Sequence, residues 1–161
     1  MKRKANRTMV IISVAALMLG LLAPLAGSKK VNAAGRVQNP NAVLQSMQIT
    51  FNTLNNDKDD DTRLEVWINK AGEHEAAYLD IQGQKFDDGS VRVYDVLPKS
   101  NPMTRGEIPG SWVQLRIAPN GNDTWNFQFR VMLRFNDGSV YERQYGPSTL
   151  DQDARQGNYS L

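Results

Sequence analysis

The chain has 161 residues, with 19 basic and 17 acidic side chains and no cysteine, which excludes a disulfide framework, a cysteine-acylated lipid anchor and any thiolate zinc site. Six basic residues, Lys2, Arg3, Lys4, Arg7, Lys29 and Lys30, stand in the first thirty, so the remainder carries 13 against 17 and a net charge of −4. The basic character of the whole therefore comes from its N-terminus, and the rest has no clustered basic stripe of the kind a nucleic-acid partner needs.

Those first residues read as an export signal. The basic n-region precedes an apolar run from Met9 to Ala26, and Val31-Asn32-Ala33 with Ala34 supplies small residues where a signal peptidase cuts. A cut after Ala33 or Ala34 makes residues 1–34 a secretory signal peptide and the protein secreted. The alternative is an uncleaved membrane anchor: the run is near the roughly 20 residues a span needs, although Gly20, Pro24 and Gly27 shorten its helical part. The mature chain is long enough for one domain with one core. Export without disulfides fits a bacterial protein held together by packing.

Residues 35–45 are polar with one proline and read as a flexible leader, which leaves 46–161 as the folded domain. Met47, Ile49 and Phe51 then alternate with polar residues as a first strand. The polar loop Asn55 to Thr62 (NNDKDDDT) separates it from a second, in which Leu64, Val66 and Ile68 form one face and Arg63, Glu65 and Trp67 the other. After the turn Asn69 to Glu75 comes a short apolar piece, Ala76 to Ile81. Phe86-Asp87-Asp88-Gly89-Ser90-Val91 leads into Arg92 to Val96, and it returns almost unchanged as Phe135-Asn136-Asp137-Gly138-Ser139-Val140 before Tyr141 to Tyr145. Asx followed by Asp-Gly predicts a tight turn, so both copies read as hairpins.

Leu97 to Gly110 is rich in Pro and Gly and reads as a surface loop. Trp112 to Ala118 comes next, with Val113, Leu115 and Ile117 inward and Trp112, Gln114 and Arg116 outward. The dominant element is Trp125 to Phe135 (WNFQFRVMLRF), where Trp125, Phe127, Phe129, Val131, Leu133 and Phe135 fall on alternate positions. That period puts an aromatic and aliphatic row on one face of a strand roughly 35 Å long, which must be central and covered. Gly146 to Leu161 is polar, with Leu150, Tyr159 and Leu161 available to pin it. About seven or eight strands separated by turn chemistry predict an all-β protein, an antiparallel β-sandwich, with a single β-barrel as the alternative.

The acidic loop is the first candidate site. Asp57, Asp59 and Asp61 alternate, with Asp60, Asn55 and Asn56 beside them, and hard oxygen ligands this dense suit calcium. The spacing resembles the opening of an EF-hand, but Thr62 stands where that loop needs Gly and Ile68 where it needs the closing Glu, so a helix-loop-helix site is not expected. Turns carrying Asp87, Asp88, Asn120, Asn122, Asp123 and Asp137 could instead converge with it at one end of a sandwich. The alternative is a solvated turn whose charges keep an edge soluble.

The stretch ITFNTLNNDKDDDTRLEVWI, from Ile49 to Ile68, with a strand, an Asp-rich loop and a second strand bearing a Trp, resembles the start of PLAT and C2-type sandwich domains. The resemblance implies binding to lipid surfaces or protein partners through calcium, with Asp57, Asp59, Asp60 and Asp61 as the loop ligands.

The second candidate is Trp67 and Trp112, each out of phase with the aliphatic face of its own strand. Indoles beside Gln, Asn and Arg grip sugar rings by stacking and hydrogen bonding, and also suit lipid headgroups; the alternative is that this face is covered by other protein. Catalytic groups are sparse: His74 is the only histidine, it lies between Glu73 and Glu75, and there is no Gly-x-Ser-x-Gly. The expectation is a secreted, non-catalytic module for calcium-assisted recognition of an extracellular lipid or glycan surface. The alternative is a metal-free structural or interaction protein of the cell envelope, and the oligomeric state stays open.

Overall fold

The computed structural model describes residues 38–72, 74–121 and 123–161, with His74 described in its backbone alone. The residues read as an export signal lie outside this description. Among the described residues eight strands form: β1 (Leu44–Thr53), β2 (Arg63–Lys70), β3 (His74–Ile81), β4 (Val91–Val96), β5 (Trp112–Ala118), β6 (Thr124–Phe135), β7 (Val140–Asp151) and β8 (Gln156–Ser160). A single 3-10 turn, Arg105–Glu107, interrupts the loop between β4 and β5. The strands make two four-stranded sheets in the orders β4-β1-β6-β7 and β3-β2-β5-β8, with antiparallel pairing throughout. The protein is therefore an antiparallel β-sandwich, and neither sheet closes into a barrel.

β6 is the element the core is built on. Its six alternate residues from Trp125 to Phe135 are all buried, and it lies between β1 and β7. Phe51 on β1 packs against Trp125, Phe127 and Phe129, with ring centroids 5.3 to 6.3 Å apart, and Phe86 closes the cluster at 5.4 Å from Trp125. The second sheet answers with Leu64, Val66 and Ile68 from β2 and Val113, Leu115 and Ile117 from β5, all fully buried. Each such side chain contributes about 1.5–3 kcal/mol on burial. The polar atom on the largest of them is satisfied: Trp125 Nε1 donates to Thr53 Oγ1 at 3.1 Å.

Three features depart from the sequence expectation. β7 runs on to Asp151, and the polar tail beyond it forms β8 on the other sheet. Both are edge strands, so they need no strict apolar alternation, and Gly146 (φ +107°) lets β7 bulge past Phe127 and Phe129 without breaking its pairing. Of the two similar hexapeptides, only Phe135–Val140 joins hairpin partners, β6 and β7. Phe86–Val91 instead carries the chain from β3 across to β4 in the other sheet, with Phe86 bridging to Lys58. Finally, Ala42 and Leu44, within the stretch read as a leader, are buried, and Leu44 N–H donates to the Met103 carbonyl. The ordered sandwich thus begins before residue 46 and clamps the long loop.

Candidate functional site

The acidic loop joins β1 to β2 and is organised around a cation of its own. Lys58 is fully buried, and its ammonium donates to the carbonyls of Asp59 (2.9 Å), Thr62 (2.7 Å) and Gln84 (2.6 Å). It also sits 4.9 Å from the centre of the Phe86 ring. These three bonds use every hydrogen an ammonium has. Burial pushes the Lys58 pKa down to about 8, while the charges of Asp123, Asp59, Asp60 and Asp61 oppose the fall.

The aspartates have separate partners. Asp57 pairs with Lys85 at 2.8 Å, Asp61 accepts from Asn120 at 3.1 Å, and Asp123 accepts from the Asp59 backbone N–H at 3.3 Å. Asp57, Asp59 and Asp123 line an open depression of about 510 Å³ with Asn56, Asn120 and Thr124. Asp60 is not among its lining residues. Desolvation, then the neighbouring charges of Asp123, Asp57 and Asp61, raise the Asp59 carboxyl above its ordinary range. Among the described residues no three acidic or histidine side chains converge closely enough to hold a metal ion together.

Trp67 and Trp112 both stand on the outer face of β3-β2-β5-β8. Strand register assembles that face: Trp67 lies opposite Tyr78 of β3 and Gln114 of β5, Trp112 lies opposite Asn69 and Ser160, and Gln114 lies opposite Asn158. The Trp67 and Tyr78 rings are 5.3 Å apart at 40°. A polar network fixes Tyr78 from below: its hydroxyl donates to Glu65 at 2.9 Å and accepts from Arg63 at 3.3 Å, while Arg63 forks onto Asp80 at 2.8 and 3.0 Å. The hydrogen bond from Arg63 holds the Asp80 carboxyl below its ordinary range, and desolvation with the bond to Glu65 raises the Tyr78 phenol. Asn69 Nδ2 donates to Gln114 Oε1 at 3.4 Å. Beside Trp112, a hollow of about 670 Å³ is lined by Asn69, Gln114, Gln156, Asn158 and Ser160. The face thus sets half-buried indoles among the amide side chains of Asn69, Gln114, Gln156 and Asn158.

Sequence reading missed Tyr78 and Lys58. The parity of Tyr78 and Asp80 within Ala76–Ile81 carried the first signal, and a lone lysine inside a run of aspartates the second. Of the residues considered for catalysis, the side chains of Glu73 and His74 lie outside the description and Glu75 pairs with Lys99 at 2.8 Å. Among the described residues no helix is long and apolar enough to cross a membrane. The chain matches no protein-family model, and no curated protein shows significant similarity to it.

Proposed function

We propose that this is an exported, non-catalytic binding module whose ligand is a glycan, held on the outer face of β3-β2-β5-β8. The observation that carries the reading is the juxtaposition of Trp67, Tyr78 and Trp112 with Asn69, Gln114 and Asn158 on one open sheet surface. Sugar rings offer axial C–H faces to stack on indoles and hydroxyls for amides to bond, and a rigid platform lowers the ordering cost of binding. A lipid surface is the poorer fit, because membrane-seeking indoles work from protruding positions, whereas these are half-buried on a sheet face that also carries the Arg63–Glu65–Asp80 charge network.

The test is depletion of the protein by insoluble cellulose, chitin, xylan and peptidoglycan, followed by calorimetry with soluble fragments of whichever binds. Trp67→Ala and Trp112→Ala should each lose about 2 kcal/mol, roughly thirtyfold in affinity. Binding to none of the four, or full affinity in both variants, overturns the reading.

A second element is calcium at the β1–β2 loop. The observation favouring it is the open depression in which Asp57, Asp59 and Asp123 stand with Asn56 and Asn120, oxygen-bearing side chains of the kind calcium takes. A calcium ion binding only the folded state at 100 times its dissociation constant adds about 2.7 kcal/mol. The melting temperature should then rise in millimolar calcium relative to EDTA, and Asp59→Asn should abolish the rise. An unchanged melting temperature removes calcium from the reading and leaves the glycan face standing.

A further inference from the structure

Three lysines and arginines are buried among the described residues: Lys58, Lys70 and Arg105. The Lys58 ammonium gives all three hydrogens to carbonyls, and Lys70 faces Glu107 at 3.8 Å. Arg105 has no carboxylate within ion-pair distance among the described residues. Its guanidinium meets only neutral groups: Nε donates to Gln38 Oε1 at 2.9 Å, Nη1 donates to Ser139 Oγ at 3.2 Å, and the Phe135 ring centre lies 5.3 Å away. Asp137, whose carboxyl feels the Arg105 charge, directs that carboxylate to the Ser139 N–H at 2.9 Å. A guanidinium carries five N–H donors in a planar fork, so three of them are without a partner among the described residues. Asp137 thus bears on the guanidinium only from a distance; burying a cation that no carboxylate touches is costly, and an anion arriving there relieves the cost.

The surroundings have the shape of a small-molecule site. An open cavity of about 310 Å³, with Gln38, Pro40, Gly106 and Pro109 exposed around it, is lined also by Arg105, Ile108 and Tyr141, at the low end of the range typical of ligand pockets. Its floor is fixed by backbone bonds: Arg105 N–H to the Ala42 carbonyl at 2.8 Å and Gly106 N–H to the Pro40 carbonyl at 2.7 Å. Glu107 closes the turn by accepting from both the N–H and the hydroxyl of Thr104, at 2.7 and 3.0 Å. A Cβ on Gly106 would stand 3.0 Å from the Pro40 oxygen, tighter than most such contacts, so a larger residue there would push the Pro40 backbone aside. The cavity lies at the Phe135 end of β6, whereas the acidic loop adjoins its Thr124 end.

We propose that this cavity binds a small organic carboxylate, its two oxygens forked onto the open edge of Arg105 and its apolar body against Pro40, Ile108, Pro109 and Tyr141. Planar bidentate pairing is the geometry that guanidinium and carboxylate share. The site is independent of the glycan face.

The experiment titrates the full chain with sodium benzoate and follows the Arg105 Nε–H and the Gly106 and Tyr141 amides by NMR, with benzyl alcohol and sodium phosphate in parallel. Saturable shifts with benzoate alone are expected. Arg105→Lys should weaken binding at least tenfold by losing the fork, and Arg105→Gln should abolish it. Ile108→Trp, which fills the cavity while keeping the guanidinium, should also abolish it and serves where Arg105→Gln fails to fold. Silence with benzoate at tens of millimolar, an equal response to phosphate or benzyl alcohol, or binding that survives Ile108→Trp overturns the assignment.

Discussion

Replacing Lys58 by methionine tests what holds the β1–β2 loop. Methionine fills nearly the same unbranched volume but donates nothing, so the carbonyls of Asp59, Thr62 and Gln84 lose their shared donor and Asp59, Asp60, Asp61 and Asp123 lose the cation among them. Each buried acceptor left unpaired costs about 1–3 kcal/mol, and removing one side of a buried charge network costs about 3–5 kcal/mol. The terms overlap, because the loop relaxes toward water once released, so about 3–5 kcal/mol is the expected total. For a domain of this size, 1 kcal/mol corresponds to roughly 4 °C, which sets the drop in melting temperature at roughly 12–20 °C. Thermal unfolding by circular dichroism at neutral pH measures it, with Asp60→Asn as a variant that keeps the ammonium and should melt within a few degrees of the parent. A drop below about 4 °C for Lys58→Met would show that the ammonium is not the organising group.

The titration of the same lysine has a sign that can be checked. Burial lowers its pKa from 10.5 to about 8, so between those values the unfolded chain holds a proton the folded chain has released, and Lys58 adds stability as pH rises through that window; Lys58→Met should lack this rise. Above the ordinary phenol pKa of 10 the slope should reverse, because burial pushes Tyr145 up to about 12 and also raises Tyr94 and Tyr159, so the unfolded chain ionises first. Asp80, held low by Arg63, contributes stability that is complete above its ordinary 3.8 and is lost as pH falls through its folded value; Asp80→Asn should flatten that part of the acid limb in urea titrations. Thr53→Val leaves the buried Trp125 Nε1–H without its acceptor and should cost about 1–3 kcal/mol, read as a shift in the denaturant midpoint.

Much of the fold was legible because half-buried strands write their faces into the sequence with a period of two. β5 was delimited residue for residue, and β6 to within one residue, since apolar and polar neighbours alternate along them. The edge strands carry a fainter mark: β8 places only Gly157 and Tyr159 on its inner face, opposite Leu115 and Val113, and no composition rule flags QGNYS as a strand. The two hexapeptides show a second limit. Asp-Gly chemistry specifies how the chain turns, with Gly89 and Gly138 both at positive φ, but not which sheet it enters next. For the candidate sites, the phase of Trp67 and Trp112 was readable, whereas their assembly with Tyr78, Asn69 and Asn158 depends on pairing between strands far apart in sequence. The carbonyls that hold Lys58 were invisible for a simpler reason: a backbone acceptor has no letter of its own.

The two outer faces of the sandwich separate a functional reading of alternation from a merely structural one. On the β4-β1-β6-β7 side, β1 and β6 present Gln48, Thr50, Asn52, Gln128, Arg130 and Arg134 outward. Their charges and amides are partly matched locally, with Gln48 donating to Asp95 at 2.9 Å and Arg130 facing Glu142 at 3.3 Å. No aromatic ring joins the row that these two strands present; its apolar members are Met132 and, on neighbouring β4, the exposed Val91 and Val93 opposite Asn52 and Thr50. On the β3-β2-β5-β8 side the same polar phase is interrupted twice by tryptophan and once by tyrosine, at neighbouring register positions. Solubility alone asks only for polar residues at such positions, and a large half-buried ring there gives up contact it could have made in the core. That asymmetry supports the proposed glycan face and yields its own control: Gln128→Ala and Arg130→Ala should leave glycan affinity unchanged. If they reduced it as much as Trp67→Ala, the ligand would have to span an edge of the sandwich, and the rings would no longer define the site.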